Sequence, residues 1–148
     1  MAKKNESSMK ISRLLDKTTV KVYKMSFDDI EAAFNEVEKD CALQAKSDHE
    51  ILEVKRRIIE QKLRIYCERD FDFATVKKCY EAIINLGNTN LEMEFSNGYI
   101  FTNYLIQNGK NELAKEAMTP IISKLDNNII AYTEFKKQAE KLVQSLDG

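Results

Sequence analysis

The 148-residue chain contains few of the residues that build catalytic and cofactor sites: one histidine, three cysteines and four glycines. His49 lies between two acidic residues, and a serine or cysteine nucleophile would have no other histidine as its base. Four glycines leave little material for a phosphate-binding loop, and the sequence has no Gly-x-Gly-x-x-Gly, phosphate-loop or calcium-loop motif. The sequence therefore predicts a protein that is not an enzyme and that uses no cofactor or metal.

The cysteines and the hydropathy pattern indicate a compartment. Cys41, Cys67 and Cys79 form no Cys-x-x-Cys pair and have no histidine cluster beside them, so we expect reduced, buried thiols. No stretch approaches the roughly 18 apolar residues of a membrane span, and the N-terminus lacks the apolar run of a secretory signal. The expected location is cytoplasmic, without membrane association.

Charge is nearly balanced overall but is distributed unevenly along the chain. Residues 1–24 carry seven basic and two acidic groups, whereas the other 124 residues carry 16 basic and 22 acidic groups. Residues 1–9 have little to bury and are expected to be disordered. Residues 18–25 alternate with period two, which favours a short extended segment within residues 10–25. We predict a basic, largely flexible arm over residues 1–25.

From Ser26 onward, apolar residues recur at helical spacing and capping residues separate the segments. Gly87 and Gly109 are placed to end two helices, and Pro120 should kink the fifth helix or start a new one. Connections of two to five residues favour antiparallel neighbours. Residues 26–148 are thus predicted to form an all-α domain of about six helices stacked as antiparallel hairpins. The predicted capping residues are Ser26, Ser47, Asp70 or Asp72, and Asn111, and Asn90 is predicted to start a helix.

An internal similarity supports the hairpin interpretation. The apolar positions of residues 73–87 recur loosely in residues 111–125, which lie 38 positions later. In these residues the chain resembles a divergent tetratricopeptide repeat protein, a family of 34-residue helix-turn-helix units, over about half of its length. The resemblance implies a short array of hairpins with a concave binding groove. It depends on Phe73, Val76, Tyr80 and Ile83 in the first unit and on Gly109, Ala114, Met118 and Ile121 in the second.

The resemblance also implies which residues would line the groove, because the first helix of each family hairpin faces it. Tyrosine is enriched at binding hot spots, since it joins apolar area to a polar tip. Alternatively, Tyr99 and Tyr104 only flank a core that contains Phe101 and Leu105. The implied partner-binding residues are Ser96, Tyr99, Asn103, Tyr104, Ile106 and Gln107.

We therefore predict a non-enzymatic adaptor that binds a peptide or protein in a helical groove, with Glu92, Glu94 and Glu112 attracting a basic partner. An alternative is a small bacterial immunity or antitoxin protein that neutralises a toxin by direct binding. A third possibility is nucleic-acid binding through residues 1–24 and a basic cluster in residues 55–69. That cluster is interleaved with glutamates at salt-bridge spacing, which favours a solvated, self-neutralised face.

Overall fold

The computed structural model describes residues 2–87, 90–126 and 133–147, and these residues form seven α-helices with no strand among them. The predicted all-α class is confirmed, and several pairs of helices that are adjacent in sequence pack on one another. The chain divides into two compact units, residues 1–65 and 66–148. The helices are α1 (Ala2–Val22), α2 (Phe27–Gln44), α3 (Asp48–Glu68), α4 (Phe73–Leu86), α5 (Leu91–Gln107), α6 (Asn111–Asp126) and α7 (Thr133–Asp147).

The first unit consists of α1, α2 and most of α3, and it includes the segment for which a flexible arm was predicted. That prediction is wrong for residues 2–22, which form a single helix packed on α2. The reason is that Ile11, Leu15 and Val22 follow helical spacing and are buried. The hydroxyls of Thr18 and Thr19 donate to carbonyls one turn back at 2.8 Å, so these β-branched residues fit the helix.

Polar contacts between α3 and the other two helices complete the first unit. Arg57 Nη1 donates to Ser12 Oγ at 2.9 Å, and Lys62 Nζ lies 3.1 Å from a carboxylate oxygen of Glu31. The same ammonium lies 5.9 Å from the centre of the Phe34 ring. The basic cluster of α3 is thus partly neutralised within the unit. Arg56 pairs with Glu53 of the same helix, as the interleaved glutamates indicated, and Lys62 pairs with Glu31 of α2.

Helix boundaries follow local chemistry in both units. Three predicted N-caps are confirmed, with backbone nitrogens donating to their side chains at 3.1–3.2 Å: Ser26, Ser47 and Asp72. Asn90, where a helix start was predicted, caps α5 by accepting from Met93 N at 2.8 Å. Gly87 and Gly109 adopt positive φ angles of 66° and 72° where α4 and α5 end, as predicted. Asn111 is not a cap but the first residue of α6. That helix continues through Pro120 instead of restarting there.

In the second unit, α5 packs closely on α6 because Gly98 has no side chain. A Cβ atom at this position would lie 2.1 Å from Ile121 Cδ1, which is far inside van der Waals contact. Next to this crossing lies a core shared by α5, α6 and α7: Phe95, Met118, Ile121, Leu125 and Ala139. The axes of α5 and α6 can therefore lie close together where the two helices cross at Gly98.

Thr102 on α5 gives a first testable expectation. Its side chain is fully buried, and its Oγ1 has no hydrogen-bond partner in the part of the chain that the structure describes. A buried hydroxyl left unpaired costs about 1–3 kcal/mol, so we expect Thr102→Val to raise the free energy of unfolding by about 1 kcal/mol. Chemical denaturation measures the change. The control is Thr102→Ser, which keeps the hydroxyl and loses a methyl, and should lower stability; a Val variant that is less stable would show that the hydroxyl is satisfied.

Candidate partner-binding site

An open groove runs over α5 between α4 and α6 in the second unit. It consists of two cavities of about 470 and 230 Å³ that share the lining residues Tyr80, Glu116 and Ala117. We call this feature the α4/α6 groove. Its length is set by α4, whose 14 residues extend about 21 Å at 1.5 Å per residue.

The groove stays open because α5 holds its two neighbours at different distances. Gly98 admits α6 closely, whereas α4 meets α5 through the stacked rings of Tyr80 and Phe101, whose centroids lie 4.1 Å apart. Two aromatic rings act as a spacer, so α4 cannot close down on α6. Apolar side chains line most of the resulting gap: Phe73, Tyr80, Ile83, Ile84, Phe101, Leu113, Ala117, Pro120 and Ile121.

Apolar surface is exposed at both walls of the groove. Ile84 on α4 is 60% exposed and lines the larger cavity, whereas Leu113 on α6 is 39% exposed and lines the smaller one. Among the described residues of the second unit, these are the exposed large hydrophobic side chains. Apolar residues that are exposed and clustered at a concave surface are typical of binding sites, whereas single scattered ones are not.

Charged residues surround this apolar surface, and they are not all paired. Lys77 lies 3.9 Å from Glu81, and Lys124 forms an ion pair with Glu94. Glu116, which lines both cavities, has no lysine or arginine within 4 Å in the described ranges. The groove therefore presents one carboxylate whose charge is not neutralised by a neighbouring side chain.

Pro120 adds a backbone acceptor on the same wall. Because proline has no N–H, the carbonyl of Glu116 lacks its usual helical donor. Pro120 and Glu116 both line the larger cavity. The α6 wall thus combines a carboxylate with a carbonyl that lacks the donor of residue 120, and both groups can accept hydrogen bonds.

Two polar groups lie deeper in the groove. The side chain of Asn97 is 4% exposed and lines the larger cavity. Burial, followed by the charge of Glu94, raises the pKa of Tyr80 to about 12, so its phenol stays protonated at neutral pH and can donate. The groove is therefore an apolar surface with a few placed polar groups, which is the usual composition of a binding site.

The sequence-predicted site residues do not meet in this groove. Tyr104 is 2% exposed and donates its hydroxyl to the carbonyl of Phe71 at 2.6 Å, so its prediction as a partner-binding residue is wrong. The alternative is right that Phe101 and Leu105 are core residues, but Tyr104 lies in the core with them and does not merely flank it. The buried ring also satisfies a carbonyl at the turn before α4, which a local sequence pattern cannot reveal.

The other five predicted residues occupy the face of α5 that points away from the groove. Given 3.6 residues per turn, they lie opposite Glu94, Asn97 and Phe101, which are the α5 residues in the groove lining. Tyr99 on that opposite face is half-buried, with its ring 5.5 Å from Phe95. Their binding role stays a prediction for a separate surface: Ser96, Tyr99, Asn103, Ile106 and Gln107.

Sequence reasoning missed the residues that define the α4/α6 groove. Helical spacing places Ile84 and Leu113 in the apolar stripes of their helices, which predicts core positions for both. A signal was present, because Ile83 and Ile84 are adjacent and lie about 100° apart around a helix, so they cannot both face α5. Ile83 is buried and Ile84 is not.

The three cysteines are free and buried, as predicted, and burial raises the pKa of Cys67 to about 12, which keeps its thiol protonated and unreactive. Within the described ranges, no helix is long and apolar enough to cross a membrane, and no group of three potential metal ligands occurs.

The resemblance to tetratricopeptide repeats stays a prediction. Comparisons with protein-family models, curated proteins and solved structures found no match to this chain.

Proposed function

We propose that the chain is a non-enzymatic protein-binding module that accepts an amphipathic helix of a partner in the α4/α6 groove. The observation that carries the proposal is the exposure of Ile84 and Leu113 on facing walls of an apolar groove. A groove walled by helices offers no backbone edge to which an extended strand could pair. Side chains must therefore supply the affinity, and a helix presents apolar residues at i, i+3, i+4 and i+7 along one line.

The charge of the groove indicates a basic partner. Glu116 and its carbonyl offer acceptors without a neighbouring cation, and residues 66–148 carry nine basic and 12 acidic groups. A lysine or arginine beside the apolar face of the partner would meet Glu116. Complementary charge of this kind speeds encounter and sets register more than it adds affinity.

An immunity or antitoxin protein remains a specific form of the same proposal. The acidic second unit would suit a basic toxin, and a toxin reading frame beside the gene would favour this form over a general adaptor. We retain a cytoplasmic location in the proposal, because free cysteines are typical of reducing compartments.

The test uses helical peptides selected on the full chain from a randomised library. We expect the selected peptides to carry apolar residues at helical spacing and at least one lysine or arginine. Ile84→Ser should weaken their binding by about tenfold or more, because truncating a central apolar contact costs at least 1–2 kcal/mol. Glu116→Gln should remove the preference for basic over neutral peptides.

The matched control is Leu43→Ser, which changes another exposed apolar residue, one that belongs to the first unit and does not line the groove. Its affinity for the same peptides should equal that of the unchanged protein. Selection of no helical peptide, or equal binding by the Ile84→Ser and Leu43→Ser variants, would contradict the proposal.

A further inference from the structure

Four basic residues of α1 form one line along an exposed face of the first unit. Lys10, Arg13, Lys17 and Lys21 follow one another at steps of three, four and four, which places them on the same side of a helix. All four side chains are exposed. They span 12 residues, and the 11 steps between the first and the last extend about 16 Å at 1.5 Å per step. We call this line the α1 basic stripe.

The charges of the α1 basic stripe are not neutralised by neighbouring side chains. No carboxylate of the described residues lies within 4 Å of any of its four cations. Other basic residues of the same unit are engaged: Arg56 pairs with Glu53, and Lys62 pairs with Glu31. The α1 basic stripe therefore differs from the basic cluster in residues 55–69, because its four cations have no ion-pair partner among the described residues and can bind an external anion.

The opposite face of α1 holds the stripe in place. Ile11, Leu15 and Val22 are buried in the first unit, so the helix cannot turn its charges away or change their spacing without unpacking. A ligand that binds a preformed line of charge has less conformational entropy to remove than one that must order a flexible arm. The packing therefore makes the basic segment a more specific feature than its composition alone suggested.

These properties fit a particular polyanion. Residues 2–22 contain no aromatic side chain, so the stripe lacks the stacking platform that single-stranded nucleic acids require. Met9 and Val20 are exposed beside it, but the main apolar face of α1 is buried and cannot enter a lipid bilayer. Lysine contacts phosphate oxygens without reading bases.

We infer that the α1 basic stripe binds the phosphate backbone of a nucleic-acid duplex, without sequence recognition. The stripe would cover about five base pairs at 3.4 Å per pair. This site lies in the first unit and does not depend on the α4/α6 groove, so either proposal can fail while the other holds.

The experiment measures binding of the full chain to a fluorescently labelled 20-base-pair DNA duplex between 50 and 200 mM salt. With four neutralised phosphates, the slope of log affinity against log salt should be about −3.6, and two unrelated sequences should give the same slope. The triple variant R13Q/K17Q/K21Q removes three cations, so its slope should fall to about −0.9 and its affinity at 50 mM salt by at least about tenfold.

Three controls separate a local site from net charge. K39Q/K46Q/K55Q removes three exposed lysines of the same unit outside α1 and should retain most of the affinity. K10R/K17R/K21R keeps the charge and should bind as the unchanged chain does. Thermal unfolding followed by circular dichroism should be similar for all variants, since the altered side chains are exposed.

The inference fails if the duplex is not bound at 50 mM salt, or if the two glutamine triples lose affinity equally. Single-stranded DNA of the same length should bind more weakly, and tighter binding would contradict the choice of a duplex. Two further probes are vesicles that contain phosphatidylserine and a polyglutamate peptide. Stripe-dependent binding of either probe that is tighter than that of the duplex would assign the stripe to a membrane or an acidic protein and overturn the inference.

Discussion

Phe95→Ala should lower the free energy of unfolding by about 3–5 kcal/mol, the range for truncating a buried phenylalanine. Phe95 is 6% exposed, and its ring stacks on that of Phe135 with centroids 4.9 Å apart. It also contacts the half-buried ring of Tyr99 and belongs to the core that α5, α6 and α7 share. Its removal leaves a cavity in the core that these three helices share, and the Phe135 ring of α7 loses its stacking partner.

Chemical denaturation measures the loss, and amide hydrogen exchange locates it. Exchange should accelerate most in α7, because its contact with α5 passes through Phe135. Ile84→Ala provides the control, since a side chain that is 60% exposed should change stability by less than about 0.5 kcal/mol. A Phe95→Ala variant as stable as Ile84→Ala would contradict the assigned core.

Gly98 and Ile121 should behave as a coupled pair. Gly98→Ala gains about 1 kcal/mol of helix propensity, but its new Cβ would overlap Cδ1 of Ile121. Because that atom is the movable end of its side chain, we expect a cost of about 1 kcal/mol, at the low end of the range for overpacking. Ile121→Val deletes that Cδ1 and alone should cost about 0.5–1.5 kcal/mol. In the double variant the next atom of residue 121 lies at 3.6 Å, an ordinary contact. We therefore expect the double variant to be more stable than the sum of the single changes by about 1 kcal/mol.

A double-mutant cycle by chemical denaturation measures this coupling. The matched control pairs Gly98→Ala with Ile122→Val, the neighbouring isoleucine, whose atoms are not among the three nearest to the Cβ position. That pair should be additive within about 0.5 kcal/mol. Additivity in the first pair, or equal coupling in both, would show that Gly98 is not required for the approach of α6.

Both experiments bear on the α4/α6 groove. If α6 moved away from α5, Pro120 and Glu116 would leave their positions opposite α4, and the groove would change shape. Loss of peptide binding in Gly98→Ala, with recovery when Ile121→Val is added, would tie the groove to this helix crossing. The exposed variants at Ile84 and Glu116 alter the groove surface without altering that crossing.

Local patterns in the sequence predicted the parts of the fold that depend on local chemistry. Ser26, Ser47 and Asp72 cap helices because a side-chain oxygen can satisfy a backbone nitrogen three residues later, whatever lies around them. Gly87 and Gly109 end helices because they adopt positive φ at little cost. The alternation of residues 18–25 wrongly predicted an extended segment. The longer helical spacing of Ile11, Leu15 and Val22 prevails over it because the helix buries all three side chains.

Local sequence patterns are enough to predict that the chain is all-α, where most of its helices begin and end, and which side chains are apolar. Which of those apolar side chains are covered depends on how the helices pack in three dimensions. Tyr104 is buried, and its hydroxyl donates to the carbonyl of Phe71, which lies 33 residues away in sequence. Ile84 is exposed although its neighbour Ile83 is buried. The physical reason is that burial depends on how closely two helices approach, and that distance is set jointly by residues far apart in sequence, such as Gly98 with Ile121 and Tyr80 with Phe101.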